Sequence, residues 1–110
     1  MDIHTPTAYV TMINGTVAVN STTVTAVRVG SSNLEDRKWL VIQSAVGGTT
    51  KVFVGAESTL GTTITKAILA KAGIKIADGD ILWLPVSDNI TVYAISSTGG
   101  GKRLRIAELA

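Results

Sequence analysis

The chain has 110 residues, with ten Lys and Arg against eight Asp and Glu, one His and no Cys. A domain of this length buries roughly two thirds of the surface that its unfolded chain exposes, so a single core is sufficient. The absence of cysteine excludes disulfide bonds and thiolate metal sites, and a net charge of +2 is too small to predict nucleic-acid binding by itself. Frequent Thr, Val, Ile, Ala and Gly favour an all-β protein.

The N-terminal segment has no convincing hydrophobic period, contains Pro6 and ends at Asn14-Gly15, a pair that favours a type I′ turn. We predict an extended arm over 1–15, with one strand added around 8–13, followed by a single domain over 16–110. The segment lacks the pattern of a secretory signal, and no stretch approaches the roughly 20 apolar residues that span a bilayer. We therefore expect no membrane contact.

Runs of β-branched and aromatic residues predict the next strands over 16–20, 22–29, 37–43 and 51–55. The Gly-containing loop 45–49 predicts that 51–55 returns antiparallel beside 37–43 as a hairpin. The following stretch fits both the strand and the helix period. We assign 62–65 to a strand and allow one or two helical turns over 66–71.

The last third contains four short apolar runs separated by turn-forming residues, which predict strands over 73–76, 80–85, 90–96 and 102–108. Because the separating turns are tight, beginning with Asp78-Gly79, we predict that these strands pair with their neighbours in sequence. The predicted fold class is all-β, a small antiparallel β-sandwich or jelly-roll-like barrel that allows one short helix near 66–71.

Three predicted strands, 37–43, 80–85 and 90–96, are apolar on both faces. A strand of a lone small sandwich normally keeps one face polar. Burial of each large side chain contributes about 1.5–3 kcal/mol, so the second face is expected to be covered. The cover is either another subunit or protein, or a small helix or the N-terminal arm of the same chain, and the sequence gives these equal weight.

The sequence shows no set of residues typical of catalysis, cofactor binding or metal binding. His4 is the single histidine, and no partner that a catalytic or metal site requires lies near it. The run Gly99-Gly100-Gly101-Lys102 departs from the phosphate-binding pattern on both sides and precedes a strand. Asp78 and Asp80 are explained by a turn. We expect a protein that is not an enzyme and has no cofactor or metal.

Lys102, Arg103 and Arg105 form the basic cluster of the sequence, and Arg103 and Arg105 share one strand face. Nucleic-acid modules usually add aromatic stacking platforms or a larger cationic stripe. Since the few aromatic residues here are scattered, we interpret the cluster as a solvated or interfacial strand face and expect no nucleic-acid partner.

The stretch Arg37-Lys38-Trp39-Leu40-Val41-Ile42-Gln43, followed by Lys51-Val52-Phe53-Val54-Gly55, resembles a family of small virion proteins of tailed phages. The likeness continues through Val92-Tyr93-Ala94-Ile95 and the terminal Leu104-Arg105-Ile106-Ala107-Glu108, over about two thirds of the chain. The resemblance implies a β-sandwich that decorates or cements a capsid and binds the major capsid protein. It also implies self-association into dimers or trimers, and location in virions assembled in the host cytoplasm.

Two alternatives remain open. A tail, head–tail junction or receptor-binding component of the virion would use the same sandwich with its loops presented to a ligand. A carbohydrate-binding module unrelated to phage would need exposed aromatic residues on one sheet face. The residues that we expect at an interface are Ile3 and Tyr9 in the arm and Trp83, Arg103 and Arg105 in the strands.

Overall fold

The computed structural model describes residues 11–44, 51–57, 65, 69, 72–77, 79–97 and 102–110. These residues form two antiparallel sheets of four strands each, which confirms the predicted all-β sandwich. The strands, in chain order, are β1 (Met12–Val19), β2 (Thr25–Ala26), β3 (Trp39–Ser44), β4 (Val52–Ala56), β5 (Ile74–Ile76), β6 (Ile81–Leu84), β7 (Val92–Ser96) and β8 (Lys102–Leu109).

The strand order is β1-β8-β3-β6 in sheet one and β2-β7-β4-β5 in sheet two. Strand β1 pairs with β8, β2 with β7, β3 with β6 and β4 with β5. These pairs are those of one long antiparallel hairpin that folds over on itself. The resulting strand order is that of a jelly roll. Among the described strands, the chain changes sheet at every connection except the one from β4 to β5.

The winding shows that two predictions of strand pairing were wrong. Strand β4 does not form a hairpin with β3, because it lies in the opposite sheet and pairs with β5 and β7. The last four strands alternate between the sheets, so no two of them that follow each other in sequence pair together. Turn residues favour a reversal of the chain, but they do not determine which sheet receives the next strand.

Strand β1 overturns the predicted turn at Asn14-Gly15. The strand is continuous through this pair, with Asn14 opposite Ala107 and Gly15 opposite Ile106 on β8. Tertiary pairing with β8 therefore overrides the local preference. Residues 12–15 of the predicted arm belong to sheet one, and residues 1–10 lie outside the described residues.

Two other predicted elements differ in extent. Of the strand predicted over 22–29, Thr25 and Ala26 form β2, while Val27 adds one more bond from its N–H to the carbonyl of Val92 at 2.8 Å. The predicted helical turns over 66–71 lie outside the described residues except for Leu69. The N–H of Leu69 donates to the carbonyl of Thr65 at 3.0 Å, and the N–H of Gly73 donates to the carbonyl of Leu69 at 2.9 Å.

Alternate residues of both sheets point inward and form the core. They are Val17, Val19, Leu40, Ile42, Val52, Val54, Ile76, Val92, Ala94, Leu104 and Ile106, joined by Val27. Apolar residues at every second position make the two inner faces continuous, as the strand period of two requires.

The outer face of sheet two is covered by another part of the same chain. Leu69 and Ile95 of β7 are both buried and pack together, with Val24, Phe53 and Tyr93 around them. Gly73 lies close to both Leu69 and β4, because a Cβ there would lie 2.6 Å from the carbonyl oxygen of Leu69 and 3.1 Å from that of Val54. For β7, the second apolar face is therefore satisfied without another molecule.

A buried ion pair connects β8 to the loop that precedes β3. Nη1 of Arg37 lies 2.8 Å from Oε2 of Glu108, and both side chains are fully buried. The N–H groups of Val29 and Leu34 donate to the two carboxylate oxygens at 2.8 and 3.0 Å. Each oxygen of Glu108 thus has a partner, as a buried charge requires.

The guanidinium of Arg37 reaches further, into the loop between β6 and β7. Nη2 donates to the carbonyls of Ser87 and Ile90 at 3.0 and 2.6 Å. Asn33 adds bonds to the carbonyl of Asp88 at 2.9 Å and of Ile90 at 3.3 Å. One charged pair therefore fixes both loops at this end of the sandwich to β8.

We expect Leu69→Ala to lower the free energy of unfolding by about 2–5 kcal/mol, because it opens a cavity over Ile95. Chemical denaturation followed by tryptophan fluorescence measures this. Ile74→Ala, which truncates a half-exposed residue of β5, is the control and should cost much less. A loss below about 1 kcal/mol for Leu69→Ala would show that the cover over sheet two contributes little.

We expect Glu108→Gln to cost about 3–5 kcal/mol, because it leaves the buried guanidinium of Arg37 without its counter-charge. Replacing both residues, with Arg37→Met and Glu108→Gln, should cost clearly less than the sum of the losses from Arg37→Met alone and Glu108→Gln alone. The same denaturation experiment on the four proteins of this cycle gives the coupling. Additive losses would contradict the proposed dependence of one charge on the other.

Candidate interaction surface

The sheet-one outer face is defined by the strand residues that alternate with the buried ones. The register places them side by side across the four strands. They are Met12, Asn14, Thr16 and Ala18 of β1; Arg103, Arg105 and Ala107 of β8; Trp39, Val41 and Gln43 of β3; and Ile81 and Trp83 of β6.

The apolar residues of this face that are open to solvent lie on its two edge strands, β6 and β1. Trp83 is 56% exposed and Ile81 57% exposed, and at the far side of the sheet Met12 is 62% exposed. Trp83 lies opposite Val41 and makes an edge-to-face contact with Trp39, with ring centroids 6.0 Å apart. Contiguous exposed side chains of this size usually mark a binding surface.

One end of the same face is basic. Arg103 is exposed, and its Nη1 donates to Oγ1 of Thr16 at 3.3 Å. Arg105 lies between Thr16 and Gln43 in the register and makes no hydrogen bond or ion pair within the described part of the chain. Arg105 and Ile81 border a shallow depression of about 190 Å³. No Asp or Glu belongs to the sheet-one outer face, so its charge is positive.

The outer faces of the two sheets therefore differ in solvent exposure. Both carry apolar residues on their outer faces, but on sheet two Leu69 packs over Ile95 and buries it. No described residue covers Ile81 and Trp83 on sheet one. The unsatisfied apolar surface of the described chain is thus concentrated on one face.

Three of the five predicted interface residues come together here: Trp83, Arg103 and Arg105 lie on the sheet-one outer face. Ile3 and Tyr9 lie outside the described residues. The predicted interface residues do not include Met12, which lies on this face and is 62% exposed. The available signal for the longer strand was the alternation of Ile13, Val17 and Val19, which continues through the Asn-Gly pair, and the turn cue of that pair outweighed it.

Other candidate sites are weaker. An apolar cleft of about 200 Å³ lies between the sheet edges, lined by Val54, Ala56, Ile74, Leu84 and Val86 together with Gly55 and Ala72. It has no charged lining residue that could orient a ligand. Across the described ranges, no three His, Cys, Asp or Glu residues cluster as metal ligands. In the same residues no helix is long and apolar enough to cross a membrane.

Glu108 is buried, but its arrangement is not that of a reactive carboxylate. Both oxygens already accept hydrogen bonds from Val29, Leu34 and Arg37, and the side chain has no access to solvent. A general acid or base needs a path to its substrate and a free position for the proton. The carboxylate of Glu108 therefore has a structural role.

No protein-family model matches the chain, and a search of curated proteins finds no significant match. The functional argument consequently depends on the geometry and charge of the sheet-one outer face.

We expect Trp83→Ala to lower the free energy of unfolding by no more than about 1.5 kcal/mol, because the ring is half exposed and its main contact is one aromatic pair. Leu40→Ala, on the inner side of the adjacent strand, should cost about 2–5 kcal/mol. Denaturation of the two variants under identical conditions tests this. Equal losses would mean that Trp83 is retained for stability rather than for binding.

Proposed function

We propose that the protein is a structural, non-enzymatic virion component that binds the outer surface of a tailed-phage capsid through the sheet-one outer face. The observation that supports this most directly is the exposure of Trp83 and Ile81 beside a basic end on a face that the described chain leaves uncovered. The partner would be the major capsid protein, and the role would be decoration or cementing of the shell.

The charge of the face specifies what the partner surface must offer. Arg103 and Arg105 have no carboxylate beside them on the sheet, and Arg105 has no partner within the described residues. Covering these cations is favourable when the partner supplies carboxylates at the same place, and unfavourable otherwise. The proposed capsid surface is therefore apolar where it meets Trp83 and acidic where it meets the two arginines.

The size of the face explains why such a protein would act in many copies. Four strands about 4.8 Å apart and about 20 Å long present roughly 400 Å² of flat surface. A standard specific interface covers about 800 Å² on each partner, so a single contact of this size is weak. On a shell with repeated sites, many identical contacts sum. If each copy bridged two capsomers, expansion of the shell would have to break those contacts.

A second candidate is a carbohydrate-binding module, which the exposed Trp83 and its contact with Trp39 favour. Sugar rings stack on exposed aromatic faces, and such a site would depend on the tryptophans more than on the arginines. A tail or neck component of the virion would use the same sandwich with its loops presented to a ligand. The number of copies in each particle distinguishes the two positions, because decoration needs on the order of hundreds of copies and a tail or neck needs from a few to about a dozen.

Co-sedimentation of the purified protein with capsid shells that lack it tests the proposal. We expect Trp83→Ala to weaken binding by about thirtyfold, as at an interface hot spot, and Arg105→Glu to weaken it at least as much. Ile74→Ala and Lys75→Glu are matched controls on sheet two, because Ile74 is 50% exposed and Lys75 is an exposed cation. Both controls should bind like the wild type.

Three outcomes contradict the proposal. Wild-type protein that never sediments with shells excludes capsid decoration. Equal loss in the sheet-two controls places binding on another surface. Binding to purified glycans that Trp83→Ala abolishes and Arg105→Glu leaves intact favours the carbohydrate-binding alternative.

A further inference from the structure

Strand β1 is an edge strand whose hydrogen-bonding pattern can be followed residue by residue. The N–H of Thr11 donates to the carbonyl of Ala110 at 3.0 Å, and the N–H of Ala110 donates to the carbonyl of Thr11 at 2.8 Å. In an antiparallel pair such reciprocal bonds recur at every second residue. The odd-numbered residues of β1 therefore bond to β8, and the even-numbered residues direct their N–H and C=O groups away from it.

This outward row of backbone groups is unusually open. Strand β1 has eight residues, contains no charged residue and no proline, and keeps an unbroken register from Met12 opposite Leu109 to Val19 opposite Lys102. Natural edge strands are normally short, charged, bulged or covered, since an open edge pairs with other strands. No described residue pairs with the outward side of β1.

The other three edges of the sandwich follow that rule. Strand β2 has two residues, β5 has three and includes Lys75, and β6 has four and is followed by Pro85. Short length, a lysine and a proline each discourage pairing with another chain. Strand β1 alone among the described edges has none of these features.

We propose that β1 pairs antiparallel with β1 of a second copy of this chain, across a two-fold axis at Gly15, to form one continuous eight-stranded sheet. With the axis at Gly15, each of the four residues of β1 whose backbone groups point outward lies opposite such a residue of the other copy. Met12 faces the partner subunit's Ala18, and Asn14 faces the partner subunit's Thr16. Each residue has one donor and one acceptor, so about eight hydrogen bonds cross the interface.

The sequence of β1 favours a second copy over an unrelated strand. In this register a long side chain, Met12, lies beside a small one, and the polar side chains of Asn14 and Thr16 lie beside each other. No like charges meet, because β1 carries none. Closed two-fold pairs of this kind are the commonest form of homo-oligomer, and both partners contribute the same surface.

The geometry has a consequence for binding. The two-fold axis is perpendicular to the continuous sheet, so the sheet-one outer faces of both copies lie on the same side. The dimer presents about twice the surface of one copy, roughly the 800 Å² of a standard interface. The dimer itself does not depend on the proposed function, and only this use of it does.

The test compares Thr16→Pro with Thr16→Val. Both remove the hydroxyl that accepts from Arg103, but only proline removes the outward N–H and places a ring at the edge. Proline at an outward-facing edge position is compatible with the fold of the single copy, and the preceding Gly15 has no Cβ to clash with it. Sedimentation velocity over a concentration series gives the dimer dissociation constant, and circular dichroism verifies folding.

We expect wild type and Thr16→Val to form dimers, and folded Thr16→Pro to dissociate with a constant at least about a hundredfold higher. Hydrogen exchange supplies a second readout, because the amides of Met12, Asn14, Thr16 and Ala18 should be protected in the concentrated wild type and lose protection on dilution. A monomeric wild type, a dimer unchanged by Thr16→Pro, or a dimer in which these amides exchange freely would each overturn the proposal. If Thr16→Pro does not fold, the exchange pattern of the wild type decides.

Discussion

The buried pair of Arg37 and Glu108 is the interaction on which this end of the sandwich depends. Removing two charges from water is costly, and the attraction between them offsets that cost only when their remaining hydrogen-bonding positions are filled. Here they are filled by backbone groups of the loops that lead into β3 and β7. One of those loops precedes β3 and the other follows β6, and these are the two paired strands that carry Trp39 and Trp83.

The same strand pattern has opposite outcomes in the two sheets. Strand β7 is apolar on both sides, and its outer residue Ile95 is buried beneath Leu69. Strands β3 and β6 are also apolar on both sides, but Trp83 remains more than half exposed. A compact chain of this length has few segments to spare as covers. Within the described residues nothing covers Trp83 and Ile81 on the sheet-one outer face, which also carries two arginines, and this is why it is the candidate for binding.

The candidate binding face and the open edge lie on the same sheet. Sheet one carries the exposed tryptophan on β6 at one edge and the unprotected backbone of β1 at the other. The outer face of one copy is too small for a strong contact. Pairing of two copies through β1 would double that face without a change of sequence. Multivalent attachment follows from this arrangement more readily than tight binding by one copy.

The sequence by itself determined the fold class, the location of most strands and three residues of the candidate face, because alternation of apolar residues is a local property that each strand carries alone. Only the tertiary structure decided the pairing. The jelly-roll winding, the continuation of β1 through Asn14-Gly15 and the separation of β3 from β4 depend on contacts between distant residues. The sequence could show that Trp39 and Trp83 each had an apolar second side. It could not show that β6 would pair with β3, since strand neighbours in a sandwich are chosen by the packing of the whole core and the closing of loops by buried groups such as Glu108.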